Sequence, residues 1–206
     1  KDLYCSNVAM IHYAKAVAHS ALGNVAEAET EKAAFMAAKA RVPESRRVHN
    51  NKMVNLLGVA EAMLNGELEY RKGNHDTAFA HLRKSVELSD SLPYDEPWGW
   101  MQPTRHALGA LLLEQGRIDE AEAVYRAGQQ HCADQPLLHF NLGVALEDQR
   151  RFDDAIGAYE AALALDPALA DAHFNIARLY DQLGHAHQAI RHFSAYRRLH
   201  APRGRP

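Results

Sequence analysis

One stretch constrains this chain more than any other. From Pro136 to Ala201 it nearly repeats itself at a step of 34 residues. His139-Phe140-Asn141 falls on His173-Phe174-Asn175, Leu142-Gly143 on Ile176-Ala177, and Leu146 on Tyr180. Further along, Ala155 falls on Ala189, Tyr159 on Phe193 and Ala162 on Tyr196. A period of this length, with small residues set between large apolar ones, is the mark of a helix-turn-helix solenoid in which each unit buries its apolar face on its neighbours. Counting back one step gives another unit at Gln102–Gln135, with Leu108-Gly109, Leu112, Ala121 and Tyr125 in the same places.

The pattern Leu142-Gly143, Leu146, Ala155, Tyr159, Pro167 resembles the tetratricopeptide repeat family, whose units read W-x2-L-G-x2-Y, then A-x3-F, then P. The resemblance implies an all-α fold: a right-handed superhelical solenoid of antiparallel helix pairs, about five repeats and ten helices. A single array over 1–206 is expected, with repeats near 9–42, 59–92, 102–135, 136–169 and 170–203. The first half is less regular. Insertions are expected near 43–58, where Pro43 breaks a helix, and near 93–101, although the helix before Gly73 can begin at about Asn50. The stretch "YDEPWGWMQPTRHALG" is similar to bacterial repeat proteins of larger size, and the final part to repeat modules of bacterial helix-turn-helix regulators. A fragment or a fusion of bacterial-type arrays fits both.

The bulk numbers agree with a helical protein and exclude little else. The 26 acidic residues nearly balance 23 basic ones, so net charge gives no push toward nucleic acid or a membrane surface. There is no apolar run long enough to span a bilayer. Cys5 and Cys132 stand far apart without CxxC spacing, reading as small core residues of a protein in a reducing, cytoplasmic setting.

In the family this chain resembles, the first helix of each pair lines a concave groove. Carried over position by position, the groove side chains are Phe140, Asn141, Glu147 and Asp148 in one unit, Phe174, Asn175, Arg178 and Asp181 in the next, and His106 and Glu114 in the unit before. Asn141 and Asn175 share a slot, and an amide can both donate to and accept from an extended peptide backbone; packing between repeats is the other reading. Ala14, Leu64 and Ala107 hold that slot elsewhere. Glu114, Glu147, Asp148 and Asp181 make the groove acidic with Arg178 as the main local counterweight, which favours a neutral or basic ligand. The same acids could instead simply solvate helix ends. Trp98 and Trp100 sit in the Pro-rich insertion, either as local core or as an aromatic lip on the groove.

Thirteen histidines raise metal chemistry. His12, His139 and His173 occupy a slot where the family carries Trp, so they are expected to pack as wedges between helices. His185 and His192 share a helix face but stand about two turns apart, and His187 points to a different face from His185. No metal, no cofactor and no catalytic residue is expected, since no phosphate loop, H-E-x-x-H, G-x-S-x-G or dinucleotide fingerprint occurs. The basic C-terminal run, Arg191 to Arg205, complements a helix end and implies no nucleic-acid partner. The expected function is a non-enzymatic scaffold for a protein or peptide. The alternative is a regulatory or oligomerising module of a larger bacterial protein, pairing as a homodimer through its convex or terminal faces.

Overall fold

The computed structural model describes residues 4–95, 100, 103–131 and 133–201. Among them are ten α-helices: α1 (Cys5–Ala21), α2 (Val25–Lys39), α3 (Met53–Arg71), α4 (His75–Asp90), α5 (Thr104–Glu114), α6 (Ile118–His131), α7 (Pro136–Asp148), α8 (Phe152–Leu165), α9 (Ala170–Gln182) and α10 (Ala186–His200). They pack in antiparallel pairs. The chain forms two compact units, Lys1–Leu108 and Gly109–Pro206.

The helices begin and end where their local chemistry dictates. Pro136 stands at the start of α7, where its missing N–H costs nothing. Glu27, Asp76, Asp119 with Glu120, and Asp153 with Asp154 place negative charge in the first turns of α2, α4, α6 and α8, against the positive end of each helix dipole. The turns between paired helices use Gly23, Gly73, Gly116 and Gly184, each at positive φ. Between α7 and α8 the equivalent residue is Arg150, forced to φ 60°.

Alanine lets the paired helices approach. Ala28, Ala78, Ala121, Ala155 and Ala189, one near the start of each second helix, are all essentially buried. In the first unit Tyr13, Phe35, Met53, Leu56, Leu57 and Leu64 form the centre of the core. In the second, Tyr125, Tyr159, Leu112, Leu146 and Ile176 are fully buried.

Helix α1 starts at Cys5, and α3 starts at Met53, near where the long helix before Gly73 is expected to begin. Before α3 the chain forms a small antiparallel hairpin, β1 (Arg47–Val48) and β2 (Asn51–Lys52), the one strand pair among the described residues. Its turn places His49 at φ 48°. Side chains reinforce its short ladder. Buried Asn51 donates from Nδ2 to the Pro93 carbonyl at 2.9 Å and to Asp95 Oδ2 at 2.6 Å, while the Asn50 backbone N–H donates to Asp95 Oδ1 at 3.0 Å. This clasp ties the insertion before α3 to the chain that follows α4.

Candidate functional site

The expected groove residues of the second unit lie on one side of α7 and α9. On α7, Leu138, Leu142, Ala145 and Leu146 are buried, Phe140, Asn141, Val144 and Glu147 are half-buried, and Asp148 is exposed. On α9 the buried set is Ala172, Ile176, Ala177 and Leu179, while Asn175 is half-buried and Phe174, Arg178 and Asp181 are exposed. The helical period thus sends one stripe to the core and an adjacent stripe toward solvent.

Tyr159 of α8 joins these side chains. Its ring is buried against Phe140, with centroids 5.4 Å apart. Its hydroxyl donates to Glu147 Oε2 at 3.2 Å. Glu147 Oε1 in turn pairs closely with Arg178, and Asn175 also hydrogen-bonds the phenol. Burial, and then the Glu147 charge, push the Tyr159 phenol upward, so it remains a neutral donor. Three helices therefore meet at one phenol: Glu147 from α7, Tyr159 from α8, and Asn175 with Arg178 from α9.

Next to this hub the charge is unbalanced. Asp148 and Asp181 are exposed, and among the described residues no basic side chain pairs with them; Glu114, on the separate helix α5, is also exposed and has no basic partner among the described residues. Burial, followed by the neighbouring Glu147 charge, holds the Asp148 carboxyl above its usual range. Phe174 packs against Phe193 at 6.1 Å and Tyr196 at 5.2 Å while keeping 40% of its surface exposed.

His106 and Trp100, also expected at the site, belong to the first unit. His106, in the first unit, is half-buried, and burial lowers its pKa. Trp100 is half-buried in the first unit's core. Its ring stands edge-on to Tyr13 at 5.7 Å, and Nε1–H donates to Met63 Sδ at 3.1 Å. Trp98 lies outside the described residues. The slot histidines differ by repeat. His12 Nδ1 meets Glu31 Oε2 at 2.5 Å. His139 receives the Gln129 amide on Nδ1 at 2.9 Å and donates from Nε2 to the Ala133 carbonyl at 3.0 Å. His173 Nδ1 stands 3.0 Å from His192 Nδ1.

A second polar centre escapes motif reading. Glu122 of α6 accepts from Arg126 at 2.7 Å, Gln149 at 2.6 Å and Arg151 at 3.1 Å. Its partners Arg126 and Arg151 line a cleft of about 390 Å³ whose wall also includes Leu142, Leu146, Gly157 and Ala161. Burial opposes ionisation of Glu122, yet Gln149, Arg126 and Arg151 together hold its carboxyl below the usual range. Tyr159, the hub of the α7–α9 site, was visible in the sequence only as a recurring aromatic; its hydroxyl partners were not.

Among the described residues, no three His, Cys, Asp or Glu side chains converge as a metal-binding group, and no helix is long and apolar enough to cross a membrane.

Models of the tetratricopeptide repeat match residues 9–31, 58–130, 136–169 and 158–191. The TPR repeat-containing thioredoxin TTL4 of Arabidopsis thaliana is 32% identical over 136 residues, a match that takes in 64% of this chain and only 18% of that protein. The fold is similar to MamA from Desulfovibrio magneticus RS-1, with TM-score 0.62, 17% identity, and coverage of 96% of this chain and 97% of that one. It is also similar to MamA AMB-1, with TM-score 0.56, 21% identity and coverage of 92% and 97%. YrrB, described as a TPR protein with an unusual peptide-binding site, matches with TM-score 0.56 and 13% identity over 91% of this chain and 84% of its own. Repeats of this kind generally mediate protein–protein interactions, and scaffolds built from them are usually non-catalytic. With ten helices packed in antiparallel pairs and the repeat signature recurring from one end to the other, the chain belongs to the tetratricopeptide repeat family.

Proposed function

We propose that this chain is a non-enzymatic scaffold that holds an extended peptide or a partner helix against α7 and α9. The observation that carries the reading is the hub at Tyr159, which presents Asn175, Glu147 and Arg178 in one place beside half-buried Asn141. Two amides one repeat apart suit a peptide main chain, because an Asn side chain with one N–H engaged, as Asn175 is by Tyr159, still offers a second N–H and its carbonyl oxygen. Phe140 and Phe174 supply apolar surface for side chains. The exposed acids Glu114, Asp148 and Asp181 favour a neutral or basic ligand, since Arg178 already answers Glu147. The peptide-binding site in YrrB's description supports a peptide as the ligand class. A reducing, cytoplasmic setting accords with the buried thiol of Cys5.

The test is a pull-down and a peptide-library screen with the wild-type chain and the Asn141→Ala/Asn175→Ala variant. Partners that survive the double substitution, or acidic peptides that outcompete basic ones, would overturn the reading.

A second reading has its own support: that the chain is one module of a longer protein and pairs with a second copy. TTL4 joins such repeats to a thioredoxin, and α10 exposes Ile190 at 64% and Leu199 at 40%. Sedimentation showing a strict monomer at high concentration would exclude the pairing.

A further inference from the structure

The last helix pair brings two imidazoles together in a way the rest of the chain does not. His173 of α9 and His192 of α10 face each other with Nδ1 atoms 3.0 Å apart and ring centroids 5.1 Å apart. Both rings are half-buried. The repeat geometry makes the meeting place, because the same two slots converge in the first pair, where His12 Nδ1 meets Glu31 Oε2 at 2.5 Å. In the last pair a second histidine stands where the carboxylate would be.

The tautomer of His173 is set from outside the pair. In the preceding repeat His139 donates from Nε2 to the Ala133 carbonyl at 3.0 Å. His173 hydrogen-bonds the Pro167 carbonyl, which occupies the matching position one repeat on. Its Nδ1 faces His192, so Nε2 carries the proton and Nδ1 presents a lone pair. A backbone carbonyl that orients an imidazole in this way is the usual outer support of a metal-ligating histidine.

We propose that His173 and His192 form a binding site for a divalent transition-metal ion, with Cu(II) preferred, in which the two Nδ1 atoms are adjacent ligands and water completes the shell. Two nitrogens 3.0 Å apart, each about 2.0–2.1 Å from one ion, subtend an angle of roughly 94° there. That suits the square-planar or tetragonal geometry of Cu(II) or Ni(II), and Cu(II) is the stronger binder of nitrogen ligands. A tetrahedral ion would require the nitrogens to separate by about 0.3 Å. On binding, the His192 proton moves from Nδ1 to Nε2 through solvent, so both lone pairs reach the ion and no net proton is released. Arg191 and Arg198 lie close enough to act on the pair electrostatically. They oppose hard cations held only by charge, and they favour an anionic exogenous ligand such as hydroxide or chloride in an open position. Burial keeps both imidazoles below their ordinary pKa, the neutral state that ligation needs.

The test is Cu(II) titration of the untagged, chelator-stripped chain, followed by electron paramagnetic resonance. One equivalent is expected to bind with two equivalent imidazole nitrogens, and this signal is expected to be lost in His173→Gln and in His192→Gln. It should persist in His185→Gln/His187→Gln, which removes the nearby exposed histidines. Uptake that survives either single substitution, or that disappears with the 185/187 pair, overturns the assignment. Should a single variant misfold, nitrogen-detected imidazole spectra of the wild-type chain with substoichiometric Cu(II) decide. Paramagnetic broadening that begins at His173 and His192 supports the site, and broadening that begins at other rings, or none, overturns it.

Discussion

Gly143 leaves the space that the Tyr159 ring fills. A Cβ at Gly143 would stand 2.5 Å from Tyr159 Cε1, and one repeat earlier a Cβ at Gly109 would stand 2.3 Å from Tyr125 Cζ. Both tyrosines are fully buried, so neither ring can swing away into solvent. The Leu-Gly step of each first helix and the aromatic of each second helix are thus one packing unit. Gly143→Ala is expected to destabilise the chain by about 1–3 kcal/mol through overpacking. Because it displaces the phenol that holds Glu147, it should also weaken peptide binding. Thermal unfolding and the peptide screen would read the two effects separately.

Arg150 is the one inter-helix turn residue of its kind that is not glycine, among those the structure describes at positive φ between paired helices. A left-handed conformation costs a residue with a Cβ about 1–2 kcal/mol, partly offset by the chain entropy that glycine loses on folding. Arg150→Gly is therefore expected to stabilise by about 0.5–1 kcal/mol. A lower melting temperature than wild type would show that the Arg150 side chain holds something worth more than the strain.

The clasp of Asn51 and Asp95 carries a pH signature. Burial opposes ionisation of Asp95, but the Asn50 backbone N–H, the Asn51 amide and the His49 charge together hold its carboxyl below the usual range. A carboxyl depressed in the folded state lends stability at pH above its unfolded value, and that stability is lost as the pH falls toward the folded value. Asp95→Asn should thus melt below wild type at neutral pH, with the gap closing in acid. Asn51→Ala should cost about 1–3 kcal/mol, because it strips hydrogen bonds from a buried carboxylate and a carbonyl.

The histidine pair predicts acid sensitivity of the opposite chemical origin. Burial holds His173 and His192 below their ordinary range. Below the ordinary histidine value of about 6.5 the unfolded chain binds protons that the folded chain resists, so stability falls there as the pH drops and is level above it. In chelator-treated buffer, His173→Phe/His192→Phe is expected to lose less stability than wild type between pH 7 and pH 5.5. Parallel pH profiles for the two proteins would contradict this.

Arg178 separates fold from function. Its side chain is 45% exposed, so its pair with Glu147 is worth at most about 1 kcal/mol to stability. Removing it releases the Glu147 charge. Arg178→Ala is expected to leave unfolding nearly unchanged while tightening binding of basic peptides and steepening its salt dependence. Equal affinity in the two proteins would argue that ligands do not reach Glu147.

How far the chain could be read in advance follows from the range of the interactions involved. The all-helical pairs were legible because Gly143, Ala155 and Tyr159 recur at one period with Gly109, Ala121 and Tyr125, and a repeat encodes contacts to its neighbour only. The hairpin at Arg47–Lys52 was not legible, since it depends on Asp95, far along the chain. Trp100 could be placed either way until Tyr13 and Met63 were seen beside it. The pairing of His173 with His192 is not legible in the 34-residue period, because the convergence is between two different slots of one repeat rather than matching slots of successive repeats.

The sequence by itself determined the family and the helix pairing, because periodicity and small-residue spacing act locally on the backbone. Only the tertiary structure decided which charges remain open and which are already answered. Glu147 and Asp148 are neighbours in the chain, yet one is claimed by Tyr159 and Arg178 while the other faces solvent. That outcome rests on side chains delivered by separate helices, whose separation of a few ångströms no local pattern encodes.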